Sequence, residues 1–205
     1  AALGRNTERL EADAAEKTVA GAQKAAGLVC DMTDPAAIAA VATEIPQRVG
    51  APDILVNNAG VWHKTGPLDA ISDDVLEATI STNLTGTIQL TRALLPGLRA
   101  RGEAAVLNVI SKSGVVAQAG QSVYTATKYG MRGFTDVLKT DEAETGVRVS
   151  GLYQSGTNTG MFAKAGEEVP NHIFTEPDDL AAVVVFMLSR PAKLWLLEVR
   201  VELSG

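Results

Sequence analysis

Residues 103–130 read EAAVLNVISKSGVVAQAGQSVYTATKYG and combine a strand, a turn and the start of a helix. The apolar run at 103–111 predicts a buried strand, and the helical pattern that follows extends to about Glu144. The next apolar run, VRVSGLY at 147–153, predicts another strand. A helix that connects two strands in this way forms a βαβ unit, in which the strands are parallel. The stretch therefore predicts a parallel α/β sheet.

The same alternation of apolar runs and helical patterns covers the rest of the chain. The opening AALG resembles the tail of a strand. Further strands are predicted at 27–32, 53–60 and 196–203, and further helices at 35–49, from about 73, and at 176–189. Residues 156–176 lack a clear period and are rich in glycine, which predicts a mobile loop. With no repeat and no interdomain linker, residues 1–205 are predicted to form one domain, a doubly wound parallel α/β sheet.

The composition argues against several classes of partner. The 205 residues carry a net charge of −6 and an isoelectric point near 5.0. No basic run of the kind that binds nucleic acid or anionic lipid is present. Cys30 is the single cysteine, so no intramolecular disulfide is possible and a reducing compartment is expected. The sequence has no long apolar span and no signal-peptide pattern, so we expect a soluble, cytoplasmic protein.

Tyr124 and Lys128 are four residues apart on the predicted helix and would therefore share one face. An ammonium group beside a phenol favours the phenolate, so we expect the pKa of Tyr124 to be lowered towards neutral pH. Such a tyrosine can exchange a proton with an alkoxide or an alcohol. Ser111, at the end of the neighbouring strand, can hydrogen-bond the same oxygen. The alternative is a half-buried helix tyrosine next to a solvated lysine.

Polar and glycine residues follow four of the predicted strands. They are Asp31, the run 57–60, Ser111 and the run 154–159. In open parallel sheets, ligands bind beyond the carboxyl ends of the strands. We therefore expect these residues to converge on one crevice.

Several of these residues together resemble the short-chain dehydrogenase/reductases, in their compact single-domain branch. The resemblance rests on Asn-Asn-Ala-Gly at 57–60, Asn83 in TNLTG, Ser111, and Tyr124-x-x-x-Lys128. Members of that family place the serine 13 residues before the tyrosine and the asparagine near 28 residues before the serine, and both intervals recur here. The resemblance covers the chain from residue 1 to its end. It implies a Rossmann-type fold and the interconversion of a ketone or aldehyde and an alcohol by hydride transfer.

The resemblance also implies a role for each catalytic residue. Tyr124 would be the general acid/base, while Lys128 would lower its pKa and hold the nicotinamide ribose. Ser111 would orient the substrate carbonyl, and Asn83 would support a water-mediated proton relay. Asn83 can alternatively be a polar break in a long helix. Ser113 competes for the serine role, but its interval to Tyr124 is 11 residues, so Ser111 is preferred.

The cofactor side is interpreted in the same way. Asn57, Ala59 and Gly60 would let the backbone approach a flat ligand, although the motif can also be a plain tight turn. Asp31 resembles the aspartate that binds the adenine amino group, and it can also belong to the N-terminal region of the helix at Pro35. Met32 adjoins it.

Arg5 and Thr159 are predicted to contact opposite ends of the cofactor. Gly4-Arg5 stands where NAD-specific relatives carry a carboxylate, and an arginine suits the 2′-phosphate of NADP. NADP(H) is therefore predicted as the cofactor. Thr159 would meet the nicotinamide amide, and Tyr124 and Lys128 would also contact the cofactor.

Two departures from the family pattern stand out. The glycine-rich turn that family members carry near the N-terminus is absent, so we expect the sequence to be truncated or to lack a disordered segment. A central strand and the phosphate-binding turn would then be missing. The family's Pro-Gly after the fourth strand is replaced by Gln154-Ser155.

Two other functions remain open at this point. One is a redox-inactive regulatory or scaffold protein that retains the fold. The other is an epimerase or dehydratase of the extended branch, although such chains usually add a substrate domain.

The remaining expectations concern the substrate and the assembly. Trp62, Met161, Phe162 and Phe174 suggest an apolar lining for a small carbonyl or alcohol substrate. His63 and His172 lack metal-ligand spacing, so no metal site is assigned. By the resemblance, we expect a homodimer or a homotetramer.

Overall fold

The computed structural model describes residues 1–169 and 173–203. Strands and helices alternate along the chain. The strands are β1 Ala2–Gly4, β2 Gly27–Val29, β3 Ile54–Asn57, β4 Ala104–Val109, β5 Val147–Gln154 and β6 Glu198–Val201. The helices are α1 Thr7–Val19, α2 Pro35–Val49, α3 Asp73–Ile80, α4 Gly86–Ala100, α5 Ser122–Asp141, α6 Met161–Lys164 and α7 Pro177–Leu188.

All of these strands pair in parallel, as the sequence predicts. β3, β4, β5 and β6 form a four-stranded sheet in that order, and β1 pairs with β2 in a separate two-stranded sheet. The edge of β3 that faces away from β4 is unpaired within the described residues, and Ile54 and Val56 are exposed there. Leu3 of β1 and Leu55 of β3 nevertheless share one hydrophobic cluster, so both sheets belong to one domain.

Strand β4 is buried along its whole length and separates two layers of helices. Val106 packs into the cluster formed by α2 and α4, whereas its neighbour Leu107 packs against Met187 of α7. Successive side chains of a strand point to opposite faces of the sheet, so this alternation covers both faces. The predicted doubly wound α/β arrangement is confirmed.

The observed elements begin within about two residues of the predicted starts but are often shorter. Asp34 caps α2 by accepting a hydrogen bond from the Ala36 amide, with Pro35 in the first turn. The predicted strands at 27–32 and 53–60 end at Val29 and Asn57, because the chain leaves the sheet there to form loops at the crevice.

Two helical segments also differ from the prediction. The long helix that begins at Asp73 is interrupted by a π-helical turn, Ser81–Thr85. The region predicted as a loop at 156–176 contains α6 and a bridge between Thr157 and Thr175. Residues 170–172 of that region, including His172, lie outside the described residues. No helix in the described part of the chain is long and apolar enough to cross a membrane.

Candidate active site

A cavity of about 880 Å³ opens at the carboxyl ends of β3, β4 and β5. The predicted site residues that line it are Gly60, Ser111, Tyr124, Lys128 and Thr159. Ser111 follows β4, while Tyr124 and Lys128 lie one turn apart on α5, which starts after the short turn Lys112–Gly114. The structure therefore brings the predicted serine, tyrosine and lysine to one wall.

The hydroxyl group of Tyr124 is withdrawn from water. The residue is 7% exposed, and burial raises the pKa of Tyr124 to about 12, with a smaller opposing effect from a hydrogen bond to Ser111. The sequence-based expectation of a lowered tyrosine pKa is wrong. Burial dominates, and the Lys128 ammonium lies over the face of the Tyr124 ring, 5.4 Å from its centroid. Tyr124 is therefore a neutral phenol at neutral pH.

Lys128 is also buried, with 6% of the residue exposed. Burial lowers the pKa of Lys128 to about 8, because an ammonium group loses hydration inside the protein. The prediction of a solvated lysine is thereby excluded. The group changes its charge close to physiological pH.

Ser111 has an unusual backbone. It has φ 146°, a value in the region that favours glycine, and it is the only non-glycine residue with positive φ in the described chain. Such strain costs on the order of 1–3 kcal/mol and is often found at functional sites. Its competitor Ser113 is occupied elsewhere, since the Ser113 hydroxyl bonds the side chains of Gln118 and Gln121 at 3.0 and 3.1 Å. Ser111, rather than Ser113, is thus the serine that hydrogen-bonds Tyr124.

Asn83 lies in the π-helical turn and is 1% exposed. Its Oδ1 accepts from the Val61 amide at 2.7 Å, and its Nδ2 donates to the Val61 carbonyl at 2.9 Å. Nδ2 also lies 3.4 Å from Thr127 Oγ1 on α5. The residue interrupts a helix, as one interpretation held, and also fixes the loop after β3 against α5. π-helical turns of this kind are often found at functional sites.

The residues of the Asn-Asn-Ala-Gly run lie in different surroundings, since Asn57 is in the core and Gly60 lines the cavity. Asn57 faces inward, where its amide donates to Thr91 Oγ1 at 2.9 Å and to Asn108 Oδ1 at 2.8 Å. Its side chain therefore joins β3 to α4 and β4 and does not line the cavity. Ala59 follows in the loop. A Cβ at Gly60 would lie 3.5 Å from Asn83 Oδ1 and 3.8 Å from Lys128 Nζ, so glycine keeps the space in front of these groups open.

Arg5, Asp31 and Met32 lie at the end of the two-stranded sheet, outside the cavity. Arg5 Nη1 is 4.0 Å from Asp31 Oδ2. The Thr33 amide and hydroxyl bond Asp31 Oδ1, and these bonds hold the pKa of Asp31 below its usual value. A Cβ at Gly86 would lie 2.1 Å from the Met32 carbonyl oxygen, so only glycine lets the helix approach this loop.

Buried polar atoms without a partner collect at the carboxyl end of β5 and just after it. Among the described residues, Gln154 Oε1, Ser155 Oγ and Thr157 Oγ1 have none, and all three residues line the cavity. A buried polar group that lacks a partner costs about 1–3 kcal/mol, so this region is suited to a polar ligand. A carboxamide such as that of nicotinamide fits, since it both donates and accepts hydrogen bonds. Thr159 adjoins this region and accepts from the Met161 amide at 3.4 Å.

His63 is a site residue that sequence reasoning missed. It is 4% exposed, and its Nε2 accepts a hydrogen bond from the Tyr124 amide at 3.2 Å. Its Nδ1 lies 3.0 Å from the Lys64 carbonyl, an acceptor, which requires the proton on Nδ1. Gln121, the residue at the N-cap of α5, makes no side-chain capping bond. His63 therefore caps the first turn of α5 from the loop after β3 and positions Tyr124.

Another part of the cavity wall, next to Tyr124, is aromatic. Trp62 packs edge-on against Tyr124 with centroids 4.5 Å apart and contacts Phe162 at 5.2 Å. Phe162 stacks on Phe174 at 4.8 Å. These three residues and Met161 line the cavity, so the apolar lining suggested by the sequence is present.

Comparisons with known proteins agree with this arrangement. A family model described as short chain dehydrogenase matches residues 1–170. The D-beta-hydroxybutyrate dehydrogenase of Cupriavidus necator is 31% identical over 89% of this chain and 80% of its own length. The NADP-dependent 3-hydroxy acid dehydrogenase of Salmonella typhi is 34% identical over 93% of this chain and 79% of its own.

A solved structure extends the comparison to three dimensions. A metagenomic short-chain oxidoreductase in complex with NADP superimposes with a TM-score of 0.82 at 31% identity, over 98% of this chain and 85% of that one. The match extends along nearly the whole chain and includes the strand ends that form the cavity. The chain belongs to the short-chain dehydrogenase family of oxidoreductases.

Proposed function

We propose that this protein is an NADP(H)-dependent oxidoreductase that interconverts a ketone or aldehyde and an alcohol. The observation that carries the proposal is one cavity wall, formed by the buried Tyr124 and Lys128 together with the partly buried Ser111. A phenol, a hydroxyl group and an ammonium group directed at one space supply what a carbonyl oxygen needs as it becomes an alcohol.

The proton chemistry follows from the surroundings of Tyr124. The carbonyl carbon gains a hydride and the carbonyl oxygen gains the proton of Tyr124, so the product is an alcohol. Since burial raises the pKa of Tyr124 to about 12, the phenol is fully protonated at neutral pH. Ser111 would hold the carbonyl oxygen next to that phenol. The reverse reaction needs the phenolate and is favoured at alkaline pH.

Reprotonation of Tyr124 would use Lys128 and Asn83. Lys128 would donate to the nicotinamide ribose and stabilise the phenolate that forms after proton transfer. Asn83 would hold the loop at Val61 and support a relay through water. Bound NADPH would supply the hydride.

The cofactor would lie across both sheets. Gly60 and the unpartnered polar groups of Gln154, Ser155 and Thr157 would receive the nicotinamide end, together with Thr159. Asp31 and Met32 would flank the adenine, and Arg5 would pair with the 2′-phosphate. The NADP named for the Salmonella relative and for the metagenomic structure supports this choice. Asn57 and Ala59 would contribute through the backbone, because the amide of Asn57 is bonded inside the core.

We also propose a homodimer or homotetramer. Exposed apolar side chains lie on α3 and α5, including Leu76, Ile80, Tyr129 and Val137. Their burial between subunits would stabilise an assembly. Light scattering of the purified protein would measure its mass in solution, and a monomer would contradict this part of the proposal.

The function is tested by following NADPH consumption with a panel of ketones and aldehydes and repeating the assay with NADH. We expect turnover with a higher kcat/KM for NADPH. An NADH preference would overturn the cofactor assignment. Binding of NADPH with no turnover of any carbonyl compound would favour a redox-inactive role.

A further inference from the structure

Glu167 is the one acidic side chain among the described residues that line the cavity. Its Oε2 accepts a hydrogen bond from Trp62 Nε1 across 105 residues of sequence. The described part of the chain places no cationic nitrogen within 4.0 Å of this carboxylate. Among the described residues, the cavity therefore contains a carboxylate that no cationic side chain pairs with.

The two lysines among the described lining residues contact groups other than Glu167. Lys112 Nζ pairs with Glu202 Oε2 at 2.8 Å, and Lys128 is buried beside Tyr124. No other Lys or Arg appears among the described lining residues. Among the described residues, a substrate carboxylate beside Glu167 would therefore meet a carboxylate that neither lysine pairs with.

Trp62 connects Glu167 to Tyr124, since its ring packs against Tyr124 and its Nε1 donates to the Glu167 carboxylate. A carbonyl compound whose oxygen reaches Tyr124 would lay one substituent along Trp62 and Phe162, towards Glu167. That surface is aromatic, so it favours apolar or aromatic substituents.

We propose that Glu167 and the aromatic wall restrict the site to uncharged carbonyl compounds with an apolar or aromatic substituent, and discriminate against 3-oxo carboxylates. The inference rests on the proposed function and specifies its substrate class. Two like charges a few ångströms apart in a partly buried site repel strongly enough to lower the relative kcat/KM of an anion by about tenfold or more. An ester of the same skeleton experiences no such repulsion.

The test compares acetoacetate with its ethyl ester, using NADPH and the wild-type chain, E167Q and E168Q. The amide of E167Q can still accept from Trp62 Nε1, so the substitution removes charge and retains the contact. Glu168 is exposed and does not line the cavity, which makes E168Q a matched control for a surface charge. We expect wild type and E168Q to prefer the ester by tenfold or more. E167Q should raise the ratio of kcat/KM for acetoacetate to kcat/KM for the ester about tenfold, whereas E168Q should leave this ratio unchanged.

A second measurement separates this inference from the proposed function. Quenching of tryptophan fluorescence by the same two compounds reports binding whether or not turnover occurs. If wild type binds the ester more tightly than acetoacetate and E167Q abolishes this preference, the proposed discrimination is supported. A lack of NADPH consumption in the same experiments would overturn only the proposed function. The proposed discrimination would be overturned if wild type bound or turned over acetoacetate and its ester equally well. It would also be overturned if E167Q left the acid-to-ester ratio unchanged, or if neither compound bound.

Discussion

The carboxyl ends of the two sheets carry functional candidates in contrasting surroundings. At the four-stranded sheet, Asn83, Tyr124 and Lys128 are between 1% and 7% exposed and are held by hydrogen bonds and aromatic contacts. At the two-stranded sheet, the side chains of Arg5 and Asp31 are 71% and 44% exposed and lie 4.0 Å apart. Both ends follow the same parallel-strand rule, yet only the first is enclosed.

The difference shows that burial determines how strongly the surroundings change the pKa and the interaction energy of a polar group. Inside the protein, the pKa values of Tyr124 and Lys128 move to about 12 and about 8, because neither charged form is hydrated. At the two-stranded sheet, water and salt screen each charge. Substitutions at the enclosed end should therefore have larger effects than substitutions at the open end.

The largest effect is expected for Tyr124→Phe. Removing the hydroxyl group removes the proton donor, and general acid–base catalysis contributes about 10²–10⁴-fold. We expect kcat to fall by that factor while NADPH affinity changes little. Tyr129→Phe, on the same helix but exposed, is the matched control and should be active. A Tyr124→Phe enzyme with half its activity would contradict the proposed role.

The next effect concerns pH and Lys128. The lowered pKa of about 8 means that the ammonium form is present below that pH and is lost as the pH rises. We expect kcat/KM for NADPH to be level below about pH 8 and to fall about tenfold per unit above it, since this parameter reports groups of the free enzyme. Tyr124, with its higher pKa, cannot cause this break.

Lys128→Ala provides the control for the pH profile. It should lower kcat/KM at neutral pH and remove the break near pH 8. A wild-type profile that stays level into the alkaline range would show that the charge of Lys128 does not matter for cofactor capture.

A smaller effect is expected from the cap on α5. His63→Leu leaves the Tyr124 amide without its partner, whereas Gln offers a side-chain oxygen that can accept the same bond. We expect His63→Leu to lower kcat about tenfold with an unchanged KM for NADPH, and His63→Gln to recover most of that loss. Thermal unfolding measured in parallel shows whether stability falls in both. Equal kcat values for the two variants would contradict a positioning role.

The smallest effect is expected for Arg5→Ala. An exposed charge pair contributes about 0.2–1 kcal/mol, so kcat/KM for NADPH should fall by about 1.4-fold to fivefold. The value for NADH should not change, because NADH lacks the 2′-phosphate. Arg9→Ala, also exposed on α1, controls for general charge and should alter neither. If kcat/KM falls equally for NADPH and NADH, Arg5 does not bind the 2′-phosphate.

Much of the fold was predictable because its signals are local. Apolar runs and helical periods identify the strands and helices, and Pro35 marks a helix start that Asp34 caps in the structure. The interval from Tyr124 to Lys128 follows from helix geometry alone. The ends of the strands were less predictable, since polar residues there belong equally well to a strand or to the loop that leaves it.

The sequence by itself determined the parallel α/β class and the serine, tyrosine and lysine that share one wall. Only the tertiary structure decided the direction of the Tyr124 pKa, the capping of α5 by His63 and the bond between Trp62 and Glu167. Desolvation depends on every atom packed around a group, and the last two contacts join residues 61 and 105 positions apart. Helical spacing acts within one turn of the chain, whereas these properties arise only when distant segments pack together.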